Sequence, residues 1–208
     1  MVNAVNTIRK ISEGAEADIY LTELFGIRCV IKYRRKKSYM PQKLDETLRL
    51  RRTRSEAKAM ITARHAGIPV PSVLLVSRFS VFMEMIDGTM LYELDGKLPR
   101  SALKYSGKIL AKLHNSDIAH GDFTKANLMM RKDGSLYVID FGLAAQTNSI
   151  EEKALDLLLL ERSLGEEFGT ALKEYKRFAV SGSVVLSKLK EIETRGRYQE
   201  RSLTTAKE

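Results

Sequence analysis

The sequence is short of cysteine and of long apolar segments, and both shortages narrow the classes of protein to which it can belong. Only one of its 208 residues, Cys29, is a cysteine, which excludes an internal disulfide framework and a cysteine-based zinc cluster. A membrane-spanning helix needs roughly 20 consecutive apolar residues. The longest apolar stretch, residues 155–160, is far shorter and contains Asp156. The opening residues also lack a signal-peptide pattern, so we expect a cytoplasmic protein without a membrane partner.

Positive charge is abundant and is concentrated in clusters. With 35 Lys and Arg against 26 Asp and Glu, the chain has a formal net charge of +9. Such a chain is attracted to polyanions such as nucleic acid or nucleotides, although a lysine-rich soluble surface would show the same excess. The clusters are Arg34, Arg35, Lys36 and Lys37; Arg49, Arg51, Arg52 and Arg54; and Arg195, Arg197 and Arg201.

Residues 1–86 predict a small lobe of strands with one long helix. The stretch Lys43–Ala66 lacks proline and glycine and has apolar residues at helical spacing, so it predicts a helix that Gly67 ends. β-Branched and aromatic residues predict strands at 7–11, 17–24, 27–33, 73–77 and 79–85. The turn signal Asp87-Gly88 marks a change of pattern, and we place the lobe boundary there.

Residues 87–208 predict a mainly helical lobe. Apolar spacing predicts helices at 101–116, 151–164, 166–180 and 183–194, with a short strand at 136–139. The first of these helices carries a stripe that we expect to face the core: Leu103, Ile109, Leu110 and Leu113. The basic tail from Arg195 onward is polar and charged, and we expect it to be loose.

The residues that suit phosphoryl transfer lie in two short segments, His120 to Asn127 and Asp140-Phe141-Gly142. A triphosphate needs divalent cations to neutralise its charge, and magnesium prefers hard oxygen ligands beside water and phosphate. Asn127 and Asp140 supply such oxygens, and Asp122 can accept or orient a hydroxyl proton. Each segment alone is a weak signal, because Asp122 and Asn127 could merely cap a loop and Asp140 could end a strand. Together they predict a catalytic Asp122 and the metal ligands Asn127 and Asp140.

The two segments together resemble the signature of the protein-kinase-like superfamily, His-x-Asp-x4-Asn followed by Asp-Phe-Gly. The resemblance implies an α+β fold of two lobes, with a small β-rich N-terminal lobe, one long helix and a truncated helical C-terminal lobe. It also implies the cofactors ATP and Mg²⁺. Lys32, which closes a predicted strand, would contact the α- and β-phosphates and be held by Glu56 of the long helix. A solvated lysine and a surface glutamate are the alternatives.

The same resemblance suggests how the rest of the nucleotide is held. Gly14, the single glycine between the first two strands, would let the backbone approach phosphate, although a plain β-turn is the alternative. Backbone groups of Glu84 and Ile86 would face the adenine edge. Lys125, three residues after Asp122, would contact the γ-phosphate.

Two kinase features are missing from the sequence. The chain passes from Gly142 almost directly into a predicted helix, without the activation segment and Ala-Pro-Glu motif that hold peptide substrates. Gly121 stands where many kinases carry an arginine that contacts a phosphorylated activation segment. The two departures argue against conventional peptide recognition and phosphorylation-controlled switching.

Several segments resemble a narrower family, the small atypical serine/threonine kinases of the KEOPS complex, also described as p53-related. These segments are Ser12–Ala17, Arg52–Ala57, Gly67–Pro71, His120–Thr124 and the basic Arg195–Arg197. The resemblance implies an autophosphorylating kinase with ATPase activity that supports threonylcarbamoyladenosine formation at position 37 of tRNA. It implies as partners the tRNA-modifying catalytic subunit, a small subunit on the N-terminal lobe, and tRNA itself. The basic clusters at 49–54 and 195–201 suit such an anionic partner, although solvated charge on a helix face and a tail is the alternative.

Two other functions stay open from the sequence. Small-molecule kinases of the aminoglycoside or choline type also use a His-Gly-Asp loop and lack Ala-Pro-Glu, but they usually need a larger helical lobe. A non-catalytic adaptor that binds nucleotide or RNA is opposed by the presence of every catalytic position.

Overall fold

A five-stranded antiparallel sheet forms the first part of the computed structural model, which describes residues 8–14, 16–24 and 26–205, with side chains up to residue 195. In the sheet, Lys32 lies opposite Ile19 on one side and Val81 on the other. The strand order is β1-β2-β3-β5-β4, and the strands are β1 (Arg9–Glu13), β2 (Ala17–Leu24), β3 (Ile27–Arg34), β4 (Val73–Val76) and β5 (Ser80–Glu84).

A single long helix, α1 (Gln42–His65), packs against this sheet. Its buried face includes Thr53, Glu56, Ala57, Met60 and Ala63, which recur at helical spacing. Gly67 follows the helix with φ +68°, a left-handed conformation that glycine adopts without strain. The helix and its glycine stop are therefore confirmed.

The remainder of the described chain is mainly helical. Helix α2 packs against α4, and α3 packs against α5. Strands β6, β8 and β9 form a three-stranded antiparallel sheet, and β7 pairs with β10. The elements are β6 (Gly88–Met90), α2 (Arg100–Asn115), β7 (Ile118–Ala119), β8 (Leu128–Arg131), β9 (Leu136–Val138), β10 (Ala145–Gln146), α3 (Ile150–Leu164), α4 (Phe168–Phe178) and α5 (Gly182–Thr205).

One hydrophobic core runs from the sheet into the helices. The stripe predicted on α2 is confirmed, because Leu103, Ile109, Leu110 and Leu113 are all buried in this core. Phe123 and Phe141, from the two segments that carry the candidate chemistry, are also fully buried. The core therefore anchors both segments by an aromatic side chain next to their polar residues.

The structure shifts some predicted boundaries. The first strand covers residues 9–13 rather than 7–11, and Thr7 lies outside the described residues. A short 3-10 turn, Gly165–Glu167, precedes α4, which is shorter than the predicted helix.

The prediction of a loose tail from Arg195 is wrong as far as Thr205, because α5 continues to that residue. No proline interrupts this stretch, which is rich in residues that tolerate a helix. Among the described residues, no helix is long and apolar enough to cross a membrane. The division of the chain at residues 86 and 87 stays a prediction.

Candidate active site

Asp122 and Asn127 are brought together in the loop between β7 and β8. The Nδ2 group of Asn127 donates to the backbone oxygen of Asp122 at 2.8 Å and to its Oδ2, also at 2.8 Å. A 3-10 turn, Lys125–Asn127, makes this close approach possible. Since the amide hydrogens are used in this way, the Asn127 oxygen is left for a cation.

Lys32 lies between two carboxylates from distant parts of the chain. Its Nζ donates to Glu56 Oε1 at 2.7 Å and to Asp140 Oδ1 at 2.6 Å. Glu56 is 1% exposed, whereas the Asp140 side chain is 51% exposed. The predicted lysine–glutamate pair is therefore present, and it extends to the predicted metal ligand.

Asp140 is shaped by its backbone as well as by Lys32. Its φ is +58°, and its Oδ1 also accepts from the backbone N–H of Gly142 at 3.0 Å. Burial pushes the pKa of the Asp140 carboxyl up, but the Lys32 ammonium and the Gly142 N–H outweigh burial and hold that pKa below its usual value. The group is thus a carboxylate at neutral pH, and its second oxygen is left for a cation.

The loop that carries Asp122 is fixed by Asp156, a residue that the sequence reasoning did not assign to the site. Asp156 is fully buried in α3 and accepts from the backbone N–H groups of His120 (2.7 Å) and Gly121 (2.8 Å). It also bonds His114 Nε2 at 3.2 Å. The sequence contained a signal for this role, a single acidic residue inside the apolar run 155–160. A buried carboxylate needs several hydrogen-bond donors, so such a residue fixes the backbone around it.

His120 connects the two chemical segments. Its Nδ1 accepts from the backbone N–H of Asp122 at 3.3 Å, so Nε2 carries the hydrogen and donates to the Ile139 oxygen at 3.2 Å. Burial lowers the pKa of His120 and favours this neutral form, against the opposing charge of Asp156. His120 therefore positions Asp122 relative to the strand end before Asp140.

Gly121 is required by the short segment that follows Gly142. Its φ is +78°, and a Cβ there would lie 2.6 Å from the Leu143 oxygen. Strand β10 pairs with β7, and Ser149 Oγ then accepts from the N–H of Glu152 to begin α3. The short segment after Gly142 therefore packs directly on the loop that carries Asp122, where a residue larger than glycine at position 121 would clash.

The other predicted nucleotide-binding residues form no hydrogen bond or ion pair with these clusters in the described part of the chain. Gly14 N–H donates to the Ala17 oxygen at 3.0 Å, which closes a tight turn. The Glu84 N–H donates to the Ser72 oxygen at 2.9 Å. Ile86 precedes β6 without a strand partner. Lys125 N–H donates to Ser163 Oγ at 2.8 Å, and its ammonium makes no ion pair with a described residue.

The donor set fits magnesium bound together with phosphate. Among the described residues there is no group of three or more His, Cys, Asp or Glu side chains able to hold a metal alone. Asn127 and Asp140 offer one amide and one carboxylate oxygen, which suits a cation that takes its other ligands from water and phosphate.

The fold is similar to that of a solved protein kinase. It matches the crystal structure of a Rio2 kinase–ADP/Mg²⁺–phosphoaspartate complex from Chaetomium thermophilum with a TM-score of 0.63. The match covers 94% of this chain and 72% of that one at 20% identity, and it confirms the predicted α+β kinase-like fold.

Residues 25–163 match the family model described as RIO domain, and the chain belongs to this family of RIO-type atypical kinases. It is 37% identical to the KEOPS complex subunit Bud32 of Pyrococcus abyssi, covering 95% of this chain and all of that protein. It is also 36% identical to a Methanobrevibacter smithii protein named "Probable bifunctional tRNA threonylcarbamoyladenosine biosynthesis protein", covering 90% of this chain and 36% of that protein.

Proposed function

We propose that the protein is an ATP-dependent serine/threonine kinase and ATPase that works in the cytoplasm as a KEOPS subunit, supporting threonylcarbamoyladenosine formation in tRNA. The observation that carries the catalytic part is the position of Lys32 Nζ, 2.7 Å from Glu56 and 2.6 Å from Asp140. A lysine held between a helix glutamate and the Asp-Phe-Gly aspartate is the arrangement that positions ATP phosphates in kinases.

The residues of the site divide the work of phosphoryl transfer. Lys32 would contact the α- and β-phosphates while Glu56 holds it, and Asn127 and Asp140 would hold Mg²⁺. Bound Mg²⁺ would neutralise charge on the phosphates. Asp122, which Asn127 orients, would accept the proton of the attacking hydroxyl or water. Lys125, three residues after Asp122, would contact the γ-phosphate, and its ammonium makes no ion pair with a described residue.

The short segment after Gly142 favours acceptors that do not need an extended docking groove. Residues 142–149 return at once to α3 and pack on the loop at Gly121. Self-phosphorylation and transfer to water are therefore the reactions that we propose. The relatives do not favour a small-molecule kinase of the aminoglycoside or choline type.

A longer, bifunctional relative supports the proposed partner. The chain spans 36% of the Methanobrevibacter smithii protein, whose name describes two functions in threonylcarbamoyladenosine biosynthesis. We propose that the remaining length corresponds to a tRNA-modifying catalytic subunit, the kind of protein that we propose as a partner of this chain. A small subunit on the N-terminal lobe completes the proposed assembly.

The structure narrows the basic clusters that would contact tRNA. Arg49 pairs with Asp45 and stacks on Phe79, so it is structural. Arg51 and Arg54 are exposed on α1 and make no ion pair with a described residue, so they suit phosphate contacts. Arg195 pairs with Glu191. The side chains of Arg197 and Arg201 lie outside the described residues.

Magnesium-dependent ATP turnover and self-phosphorylation by the purified protein test the catalytic proposal, with and without the catalytic partner and tRNA. We expect Asp140→Asn and Lys32→Met each to lower turnover roughly 100-fold or more. Matched controls are Asp95→Asn and Lys132→Met, which change exposed residues of the same types. Wild-type turnover in both site variants would refute the proposal.

A further inference from the structure

Arg34 is a buried cation that none of the roles above uses. It follows Lys32 by two positions in β3, and residues two apart in a strand project from the same face. Both side chains therefore enter the space between β3 and α1, where Arg34 is 3% exposed. Burial of a guanidinium is costly unless carboxylates pair with it, so its partners indicate its role.

The first partner of Arg34 is the carboxylate that holds Lys32. Arg34 Nη2 lies 2.7 Å from Glu56 Oε2, while Lys32 Nζ lies 2.7 Å from Oε1. Each oxygen of Glu56 thus has its own cation. Without Arg34, Oε2 would lose its buried partner and the carboxylate could turn, carrying Lys32 Nζ away from its position.

The second partner lies in the turn between β1 and β2, which contains Gly14. Arg34 Nη1 is 3.4 Å from Glu16 Oε2, and Glu16 Oε1 is 2.7 Å from Arg52 Nη1. Arg52 precedes Glu56 by one turn of α1. These three ion pairs form an ion-pair network, Glu56–Arg34–Glu16–Arg52, whose two ends both lie on α1. The network therefore connects the Gly14 turn, β3 and α1.

The ion-pair network also approaches the Asp140-Phe141-Gly142 segment. A Cβ at Gly142 would lie 3.5 Å from Arg34 Nη2 and 3.2 Å from Lys32 Nζ. Arg34 is thus next to three of the segments that the proposed function uses, those of Gly14, Lys32 and Asp140. Only a short segment connects Gly142 to α3. We therefore expect a buried residue to hold α1 in place, as a long activation segment does in other kinases.

We propose that Arg34 is a positioning residue for phosphoryl transfer. It orients Glu56, and so Lys32, and it ties the Gly14 turn to α1 through Glu16. The effect is a permanently assembled phosphate site that needs no phosphorylated activation segment. This inference rests on the proposed function. It means that one buried side chain fixes the positions of α1 and of the Gly14 turn.

The test compares Arg34→Met, Arg34→Lys and Glu16→Gln by ATP turnover, affinity for a fluorescent Mg²⁺–ATP analogue, and thermal unfolding. The control is Arg78→Met, which removes the same charge from an exposed arginine paired with Glu46. We expect Arg34→Met to lower kcat/KM roughly 10-fold to 100-fold through both constants. Arg34→Lys keeps one contact with Glu56 and recovers part of kcat. Glu16→Gln raises KM for ATP about 10-fold or less, with little change in kcat.

Arg34→Met with the KM, kcat and nucleotide affinity of Arg78→Met would overturn the proposal, and a change in unfolding temperature alone would assign Arg34 a purely structural role. If Arg34→Met does not fold, wild-type KM and kcat in both Arg34→Lys and Glu16→Gln would overturn it equally. Absence of turnover in the wild type would refute the proposed function, and nucleotide affinity would then decide on Arg34. Weaker binding in Arg34→Met than in Arg78→Met would support the inference, and equal binding would reject it.

Discussion

Two clusters of polar residues position the candidate active site, one around Lys32 and one around Asp156, and different interactions stabilise them. Around Lys32, cations and carboxylates of β3, α1 and the Asp140 turn pair side chain to side chain, and Asp140 is half-exposed. Around Asp156, one fully buried carboxylate accepts from two backbone N–H groups and from His114. In the first cluster, the Lys32 cluster, a ligand can reach a charged group. In the second, the Asp156 cluster, the charged group is buried and out of reach of a ligand.

This contrast distinguishes the residues that we expect to bind the ligand from the residues that hold the site in place. Ion pairs with an exposed member can exchange that partner for a phosphate or a metal at low cost. A buried carboxylate bonded to backbone N–H groups cannot, because any loss leaves unsatisfied donors in the core. The Lys32 cluster should therefore affect turnover more than stability, and the Asp156 cluster should affect stability first.

The largest effect expected from this contrast is that of Asp156→Asn on stability. The new amide places a donor against a backbone N–H inside the core, and we expect a loss of roughly 4 kcal/mol in the free energy of unfolding. Asp140→Asn is the matched control, since the same change at a half-exposed carboxylate should cost within about 1 kcal/mol. Urea unfolding measures both. Equal losses in the two variants would show that the clusters do not differ as described.

A smaller loss of stability is expected from Gly121→Ala, which changes the loop that Asp156 fixes at its contact with the short segment after Gly142. Gly121→Ala combines a strained φ of +78° with a Cβ 2.6 Å from the Leu143 oxygen. We expect a loss of roughly 3 kcal/mol together with reduced turnover, because the Asp122 loop must shift.

Gly134→Ala isolates the contribution of the clash in this comparison. Gly134 has nearly the same φ, +81°, but nothing lies within 4 Å of its Cβ position. We expect it to cost about 1 kcal/mol with turnover unchanged. If Gly121→Ala is no worse than Gly134→Ala in urea unfolding, the packing of Leu143 on the loop is not what requires glycine.

The sequence predicted helix α1 better than it predicted the face that α1 buries, whereas the buried face of α2 was predicted as well. Helix α1 was predictable because 24 residues run without a breaker up to Gly67. Its buried face was not, because that face carries Thr53 and Glu56, whereas Leu44 and Ile61 are exposed. The buried polar residues serve the site between α1 and β3, and apolar periodicity has no means to show this.

The candidate site divides in the same way. Asp122, Asn127 and Asp140 were found because a fixed spacing carries their chemistry, and Lys32 and Glu56 followed from the superfamily layout. Arg34 and Asp156 were not found, because their roles depend on distances between residues far apart in the chain, such as the 2.7 Å from Asp156 to His120 N. The functions of these residues in ATP binding stay a prediction.

The smallest expected effect is the pH dependence of stability that the two buried histidines produce below about pH 6.5. Burial lowers the pKa of His114, against the opposing influence of Asp156, and burial also lowers the pKa of His120. The folded form therefore resists protonation of both rings, while the unfolded chain binds protons below about pH 6.5. Stability should be full above that pH and fall as the pH drops below it toward the folded-state pKa values.

The slope of the unfolding free energy against pH gives the number of protons involved. We expect His114→Gln to lower that slope between pH 6.5 and 5 by up to about one proton. His65→Gln, which changes the exposed third histidine, should leave the slope as in the wild type. The facing groups Asp156, Lys153 and Tyr175 are present in both variants, so the comparison isolates the His114 ring. A slope unchanged by His114→Gln would mean that this ring is not kept neutral by burial.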